Sequence, residues 1–336
     1  MITLIIIVAL LAALIGGIHL AARLNVHRIK QNPDPYPMTV LCEEPQGQEV
    51  YIPRPDGTRL RAIVRNGNGP TIVLAHGYGA ALLEWNVIWT MLSAANYRLI
   101  TFDHRGHGQS TLGQDGINSA AMAGDIKAVL EYFDVTDGIL VGHSMGGFLS
   151  IIFMLTYPQV AAARLRHCVI MASFAGDVYR GAPQTRLQIP LITSGIMQRL
   201  LKTETYGWWF SGSLAGDCPA PSAVEVFRQL FDQGDHRQLV PILQALAAEN
   251  YCDRLGEITV PSTIVYGLRD KTTPAIHSET MHQRMRGAQI VRIAKVGHML
   301  NWEAPDAVVA AIHAAAQPLP TAVMMPPLIT KQPVIV

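Results

Sequence analysis

The chain has 336 residues, of which 49% are hydrophobic and 15% charged. That charged share is well below the roughly 25% of ordinary soluble domains and points to contact with lipid or an apolar partner. With 26 Lys and Arg against 25 Asp and Glu, no basic face is expected for nucleic-acid phosphates. The length suits one domain of ordinary size with an anchor and an inserted subdomain.

Residues Ile2 to Ala22 contain no Asp, Glu, Lys or Arg. About 20 apolar residues, rising about 1.5 Å each, cross the ~30 Å hydrocarbon core as a helix that satisfies its own backbone. Residues 1–22 are therefore expected to form a single-pass transmembrane anchor. A cleaved signal peptide is the competing reading. Ala21-Ala22 would suit cleavage, but the chain begins Met-Ile-Thr without a basic n-region. Arg23, Arg28 and Lys30 follow the span, and the positive-inside rule then puts the remaining domain in the cytoplasm. Asn32-Pro33-Asp34-Pro35-Tyr36-Pro37 makes 23–40 a linker that isolates the anchor.

Val50 to Ile52 and Arg59 to Val64 flank Pro55-Asp56-Gly57 as strand, turn and strand. Thr71 to Ala75, Arg98 to Phe102, Gly138 to Val141, Cys168 to Ala172, Ser262 to Tyr266 and Gln289 to Ile293 read as further strands. Between them Ala80 to Ala95, Ser119 to Phe133, Met145 to Tyr157, Ala275 to Met285 and Asp306 to Ala315 read as helices. This alternation argues for a mostly parallel sheet covered on both faces, with 41–173 and 256–316 as its core. Residues 174–255 break the alternation with helical patterns and Tyr206, Trp208, Trp209, Phe210, Phe227 and Phe231, and read as an inserted helical cap. The Pro-rich end, 317–336, reads as a disordered tail. Cys42, Cys168, Cys218 and Cys252 have no CxxC spacing and are expected to be free thiols.

Gly142-His143-Ser144-Met145-Gly146 is a G-x-S-x-G motif. Alone it is expected by chance in roughly one chain in ten of this length. Here it follows a strand and opens a helix, the setting of a nucleophile elbow. A serine needs a base, and position selects His298, after the last strand and before the last helix. The base needs a carboxylate. Asp270, after the strand ending at Tyr266, is the choice, with Asp177 as the alternative acid. The order Ser, Asp, His is the one expected of a fold built on such an elbow.

For a developing oxyanion the expected donors are the backbone N–H groups of Met145 and Tyr78, the latter in His76-Gly77-Tyr78-Gly79. The Tyr78 side chain is expected to line the pocket and His76 to brace its loop. In Asp103-His104-Arg105-Gly106-His107, Asp103 and Arg105 are expected to bond loop backbone. A metal held by Asp103, His104 and His107 is disfavoured, because the run is a Gly-rich connection without a further ligand cluster. Trp302 and Glu303 read as packing and helix-start residues.

Together the His76-Gly77 loop, the Asp103 to Ser110 run, the Ser144 elbow, Asp270 and Gly297-His298 resemble the α/β-hydrolase superfamily over roughly Val50 to Ala315. The resemblance implies the α/β-hydrolase fold and a serine nucleophile. Relatives that dehalogenate or open epoxides carry Asp where Ser144 stands. The pattern is similar to the branch of monoacylglycerol lipases, carboxylesterases, cofactor-free perhydrolases and carbon–carbon bond hydrolases, and the last often have Asn in place of His143. The expectation is hydrolysis of an acyl or lipid-like carboxylic ester through an acyl-enzyme, without cofactor or metal. The partners would be a small-molecule ester or lipid and, through the N-terminal helix, a membrane. A slow or non-catalytic ligand-binding protein, a perhydrolase and a carbon–carbon bond hydrolase are the alternatives.

Overall fold

The apolar runs pair into one eight-stranded sheet in the order β1-β2-β4-β3-β5-β6-β7-β8. The strands are β1 Gln48–Pro53, β2 Arg59–Arg65, β3 Thr71–Ala75, β4 Arg98–Phe102, β5 Gly138–His143, β6 Leu165–Met171, β7 Ser262–Gly267 and β8 Gln289–Ile293. Only the β1–β2 and β2–β4 pairings are antiparallel. The computed structural model describes residues 1–317, so the expected tail lies outside the described residues apart from its first position.

Every residue of β3, β5 and β7 is buried, as strands covered on both faces require. The pleat divides their side chains between two cores. Val73, Ala75 and Leu140 join one core, while Ile72, Leu74, Ile139 and Val141 join the other. The α-helices of six or more residues, in chain order, are α1 Ile2–Ile29, α2 Asn86–Ser93, α3 Ser119–Tyr132, α4 Met145–Thr156 and α5 Pro158–Arg164, followed by those of the insertion and the C-terminal part. The first core packs Met122, Ile126, Phe148 and Ile152 of α3 and α4 against the sheet. The second packs Ile88 and Leu92 of α2 with Val308 and Ile312 of the last helix.

Two helices differ from the expectation. The stretch Ala80 to Ala95 is a 3-10 turn, Leu82–Trp85, followed by α2. Ala81 is extended and the Leu82 N–H donates to Asp103 at 2.8 Å, which removes the first turn of a longer helix. After α4 the chain bends at Tyr157, and Pro158 opens α5, a helix that the sequence pattern did not reveal.

Between β6 and β7 the chain forms α6 Gln188–Thr193, α7 Ile196–Leu201, α8 Glu204–Ser213, α9 Pro221–Gln233 and α10 Val240–Ala248, and no strand. The chain then adds α11 Ala275–Arg284 and α12 Pro305–Ala316.

Helix α1 is long and apolar enough to cross a membrane. Its side chains are exposed through residue 21, including Ile5, Leu10, Leu14 and Ile18. The helix does not stop at residue 22. It continues to Ile29, with Ala22, Val26 and Ile29 buried. Ile29 packs where a side chain on Gly212 would stand. The chain after the helix is also attached to the insertion. Lys30 pairs with Glu204, the Asn32 amide donates to the Pro219 carbonyl at 2.9 Å, and Ser222 Oγ donates to Asp34 at 2.6 Å. The Asn-Pro run is thus tied down by polar contacts rather than isolating the helix.

Candidate active site

The chain leaves β3 toward β4 on one side and later returns as β5 on the other side of β3. The connections diverge above the carboxyl ends of β3 and β5, where open α/β sheets leave a crevice. Both expected loops start there, Gly77-Tyr78 after β3 and Ser144 after β5.

Ser144 has φ 51 and ψ −114, a conformation that L-residues rarely adopt. The turn holds because a Cβ at Gly146 would run into the Ala75 carbonyl of β3, and one at Gly142 into Gly146 itself. Ser144 N donates to the Met171 carbonyl at 2.9 Å, and its carbonyl accepts from Ser173 Oγ at 2.7 Å. The side chain therefore stands at the N-terminus of α4, where the helix dipole favours negative charge.

The structure brings Ser144, His298 and Asp270 into one line. Ser144 Oγ lies 3.0 Å from His298 Nε2, and His298 Nδ1 lies 2.8 Å from Asp270 Oδ2. A carboxylate opposite Nδ1 fixes the proton there and leaves Nε2 to accept the hydroxyl proton. Asp270 is 6% exposed and His298 also 6% exposed. Asp270 Oδ1 accepts from the N–H groups of Thr272 and Thr273 at 2.8 and 2.9 Å, and Thr273 Oγ1 donates to Oδ2 at 2.8 Å. Asp177 takes no part. It sits at φ 48 in the loop after β6, with its carbonyl accepting from Arg180 N.

The loop after β3 is held from below. The Gly77 N–H donates to Glu84 at 3.1 Å, and among the described residues the Tyr78 and Met145 N–H groups have no protein acceptor. Those two are the donors singled out from the sequence. His76 Nδ1–H donates to the Gly77 carbonyl at 2.8 Å, and its Nε2 accepts from His104 N at 2.9 Å, so the ring braces both loops. Burial, then the charges of His104 and His107, holds His76 well below the ordinary imidazole range. Burial likewise drives His104 down to about 3 and His107 to about 4.

Asp103 bonds loop backbone as expected, accepting from Leu82 N and Gln109 N. Arg105 does not act mainly through backbone. Its guanidinium forks onto the buried Asp125 carboxylate at 2.6 and 2.8 Å and reaches Asp56 at 3.0 Å. Among the described residues no group of three or more His, Cys, Asp or Glu could hold a metal ion. The four cysteines are free.

Above Ser144 lies a cleft of about 970 Å³ of empty space, open solvent included, between the sheet and the insertion. Tyr78, Phe174, Ile189, Phe210, Phe227 and Phe231 line it, with Ser144 and His298 at its floor. The Tyr78 side chain lines this cleft as expected, and its hydroxyl lies 3.2 Å from His236 Nδ1 in the insertion. His236 Nε2 faces the Phe231 carbonyl and must donate, so Nδ1 accepts from Tyr78. A second apolar groove shares Met197, Phe210, Leu214 and Thr272 with the cleft and reaches Tyr206 and Trp209 on α8, the helix against which α1 packs.

Sequence reasoning missed several supporting residues. Thr272 and Thr273 follow Asp270 in the pattern of an aspartate that caps its own turn, a signal that was available. Glu303 is more than a helix-start residue. It accepts the N–H groups of Gly216, Gly297 and Met299 and so holds the His298 loop to the insertion. Burial pushes its carboxyl up, against those bonds. Glu84 gave no signal, being one acid in an apolar run.

A model of the alpha/beta hydrolase family matches residues 72–311. The karrikin insensitive 2 receptor CA of Petunia hybrida is 27% identical over 254 residues, 71% of this chain and 88% of that one. A 2-hydroxy-6-oxononadienedioate/2-hydroxy-6-oxononatrienedioate hydrolase of Paraburkholderia xenovorans is 27% identical over 283 residues, 79% of this chain and 93% of that one. The solved structure of an esterase from Exiguobacterium antarcticum superposes with a TM-score of 0.71 at 22% identity, covering 80% of this chain and 99% of the esterase.

Proposed function

The chain belongs to the alpha/beta hydrolase family, and from that premise we propose that it is a serine hydrolase of carboxylic esters with an apolar acyl group. The hydrogen-bonded line from Ser144 through His298 to Asp270, at the floor of an apolar cleft, carries this reading. Ser144 Oγ attacks the ester carbonyl as His298 Nε2 takes its proton, and Asp270 holds the imidazolium that forms. The Tyr78 and Met145 N–H groups receive the oxyanion. Collapse expels the alcohol with the proton from His298 and leaves an acyl-enzyme on Ser144. Water then repeats the sequence and frees the acid. No step calls for a cofactor or metal.

The acyl chain lies among Ile189, Phe210, Phe227 and Phe231 of the cap, assigned to residues 174–255. Helix α1 serves as a membrane anchor. Its packing on α8 sets the neighbouring groove at the level of the bilayer, from which a lipid-like ester reaches the cleft. Arg23 and Arg28 favour a cytoplasmic catalytic domain. One observation favours a second reading, a ligand receptor with little turnover: a relative of similar identity is a receptor by name.

The full chain in detergent, treated with a fluorophosphonate probe, separates the two. Labelling and p-nitrophenyl ester hydrolysis are expected in the wild type, with turnover reduced by about 10⁶-fold and labelling abolished in Ser144→Ala. A folded wild type that neither labels nor turns over ester refutes the hydrolase reading and leaves the receptor.

A further inference from the structure

His143, the variable position of the elbow motif, is fully enclosed and both of its ring nitrogens face acceptors. Nδ1 lies 3.2 and 3.3 Å from the two carboxylate oxygens of Glu84, and Nε2 lies 3.0 Å from the backbone carbonyl of His298. A carbonyl oxygen can only accept, so Nε2 carries a proton. A carboxylate opposite Nδ1 asks for a second. Glu84 is 1% exposed and also accepts the Gly77 N–H, while its own carbonyl accepts from the Asn301 amide at 2.6 Å.

We propose that His143 and Glu84 form a buried imidazolium–carboxylate pair that positions the reacting groups, tying the Tyr78 loop and the His298 loop to the elbow. The inference rests on the serine-hydrolase reading. The pair touches the Tyr78 loop, the elbow and the His298 loop at once. Glu84 fixes Gly77, next to the Tyr78 N–H. His143 fixes the His298 backbone from the residue adjacent to Ser144. Asn301, one turn beyond His298, closes the circuit on Glu84. A charged pair holds such a junction more tightly than neutral groups, because each bond is charge-assisted in a site that water does not reach. Also facing the ring are His298 itself, 5.0 Å between centroids, the edge of Trp85, Asp270 by its charge, and His76, which the His143 charge helps to keep neutral. Neither Glu84 nor His143 donates to a substrate, so both are positioning residues.

Two measurements test this. In the full chain in detergent, with ring-¹⁵N histidine and His143 assigned by its loss in His143→Asn, both nitrogens of His143 are expected to be protonated at pH 7.5, above the ordinary imidazole value. A ring with one bare nitrogen at that pH overturns the charged pair. This spectrum is independent of catalysis, so it stands even if the wild type proves not to be a hydrolase. In Glu84→Gln, kcat for p-nitrophenyl butyrate per fluorophosphonate-titrated site is expected to fall about 100-fold, the scale of a misplacement near 1 Å, with KM within about 2-fold. A role in folding alone would lower the number of titratable sites and leave kcat per site within about 2-fold of wild type, and that result overturns positioning. Should Glu84→Gln fail to fold, His143→Asn, which keeps a donor toward the His298 carbonyl, is read in the same way.

Discussion

Below the cleft, Ser144, Asp270 and His298 sit on loops after β5, β7 and β8, His143 ends β5 and Glu84 lies in the 3-10 turn after β3, and each is fixed by two or more directional bonds. Above it, helices of 6 to 13 residues present Ile189, Phe210, Phe227 and Phe231, which meet their neighbours through ring and alkyl contacts. The first wall is specified by angles and protons. The second is specified by volume and apolarity, because dispersion and burial have no direction. Changes below should then alter the rate of every ester alike, while changes above should alter which ester is preferred.

After the loss of Ser144 itself, the largest break expected is Asp270→Asn. The amide can keep the Thr272 and Thr273 N–H bonds through its oxygen. It then turns an N–H toward His298 Nδ1, and the ring answers with the wrong tautomer, bare at Nδ1 and protonated toward Ser144. With the geometry intact, kcat should fall about 10⁴-fold at unchanged KM, equally for butyrate and longer p-nitrophenyl esters. A loss that depends on chain length would mean that the lower wall also selects substrate.

The same contrast explains what could be read from the sequence. β3 and β5 are buried on both faces, so Thr71 to Ala75 and Gly138 to Val141 are unbroken apolar runs, and the elbow is marked by glycines that its turn requires. Asp270 and His298 could be chosen because a loop at a strand end has few places to go. The junction at Glu84 was not legible. Its meaning lies in Gly77, His143 and Asn301, remote in sequence, and a lone acid among Leu82, Leu83 and Trp85 has no local pattern. The docking of α1 and its following segment onto the insertion was hidden for a similar reason: Asp34 with Ser222 and Lys30 with Glu204 join residues far apart in the chain. The 3-10 turn at Leu82–Trp85 was masked because Asp103, on another loop, takes the N–H that a longer helix would use.

A smaller effect should come from acid. His76, His104 and His107 are buried under the Tyr78 loop, the latter two lowered to about 3 and about 4 by burial. These rings bind a proton more readily in the unfolded chain. Their contribution to stability is therefore whole above the unfolded value near 6.5 and is lost as pH falls from there toward the folded values. Asp103 acts in the opposite sense. Burial raises its carboxyl to about 6, so the folded state takes up its proton first and gains as pH falls through 6 toward 4. Three rings outweigh one carboxyl, and the unfolding free energy from urea titration, with its midpoint, should drop between pH 7 and pH 5. At about 1.4 kcal/mol per unit, His104→Phe should shrink that drop in free energy by about 2 kcal/mol. If acid instead frees only the insertion, at the Tyr78–His236 contact, activity will vanish with the midpoint unmoved, and the weak point will lie in the upper wall.

The smallest shift is expected from the upper wall itself. Phe210 lines both the cleft above Ser144 and the apolar groove that continues toward α1, so Phe210→Ala joins the two spaces. Hydrocarbon binding in such a site discriminates by about 1–3 kcal/mol per methylene at best, and a widened channel gives part of that back. The ratio of kcat/KM for p-nitrophenyl decanoate over butyrate should rise about 10-fold, with kcat for butyrate and the fluorophosphonate labelling rate nearly unchanged. The short ester leaves the position of Phe210 empty and so serves as the internal control. An equal loss on both esters would remove the distinction between the walls, because it would place Phe210 among the groups that set the line from Ser144 to His298.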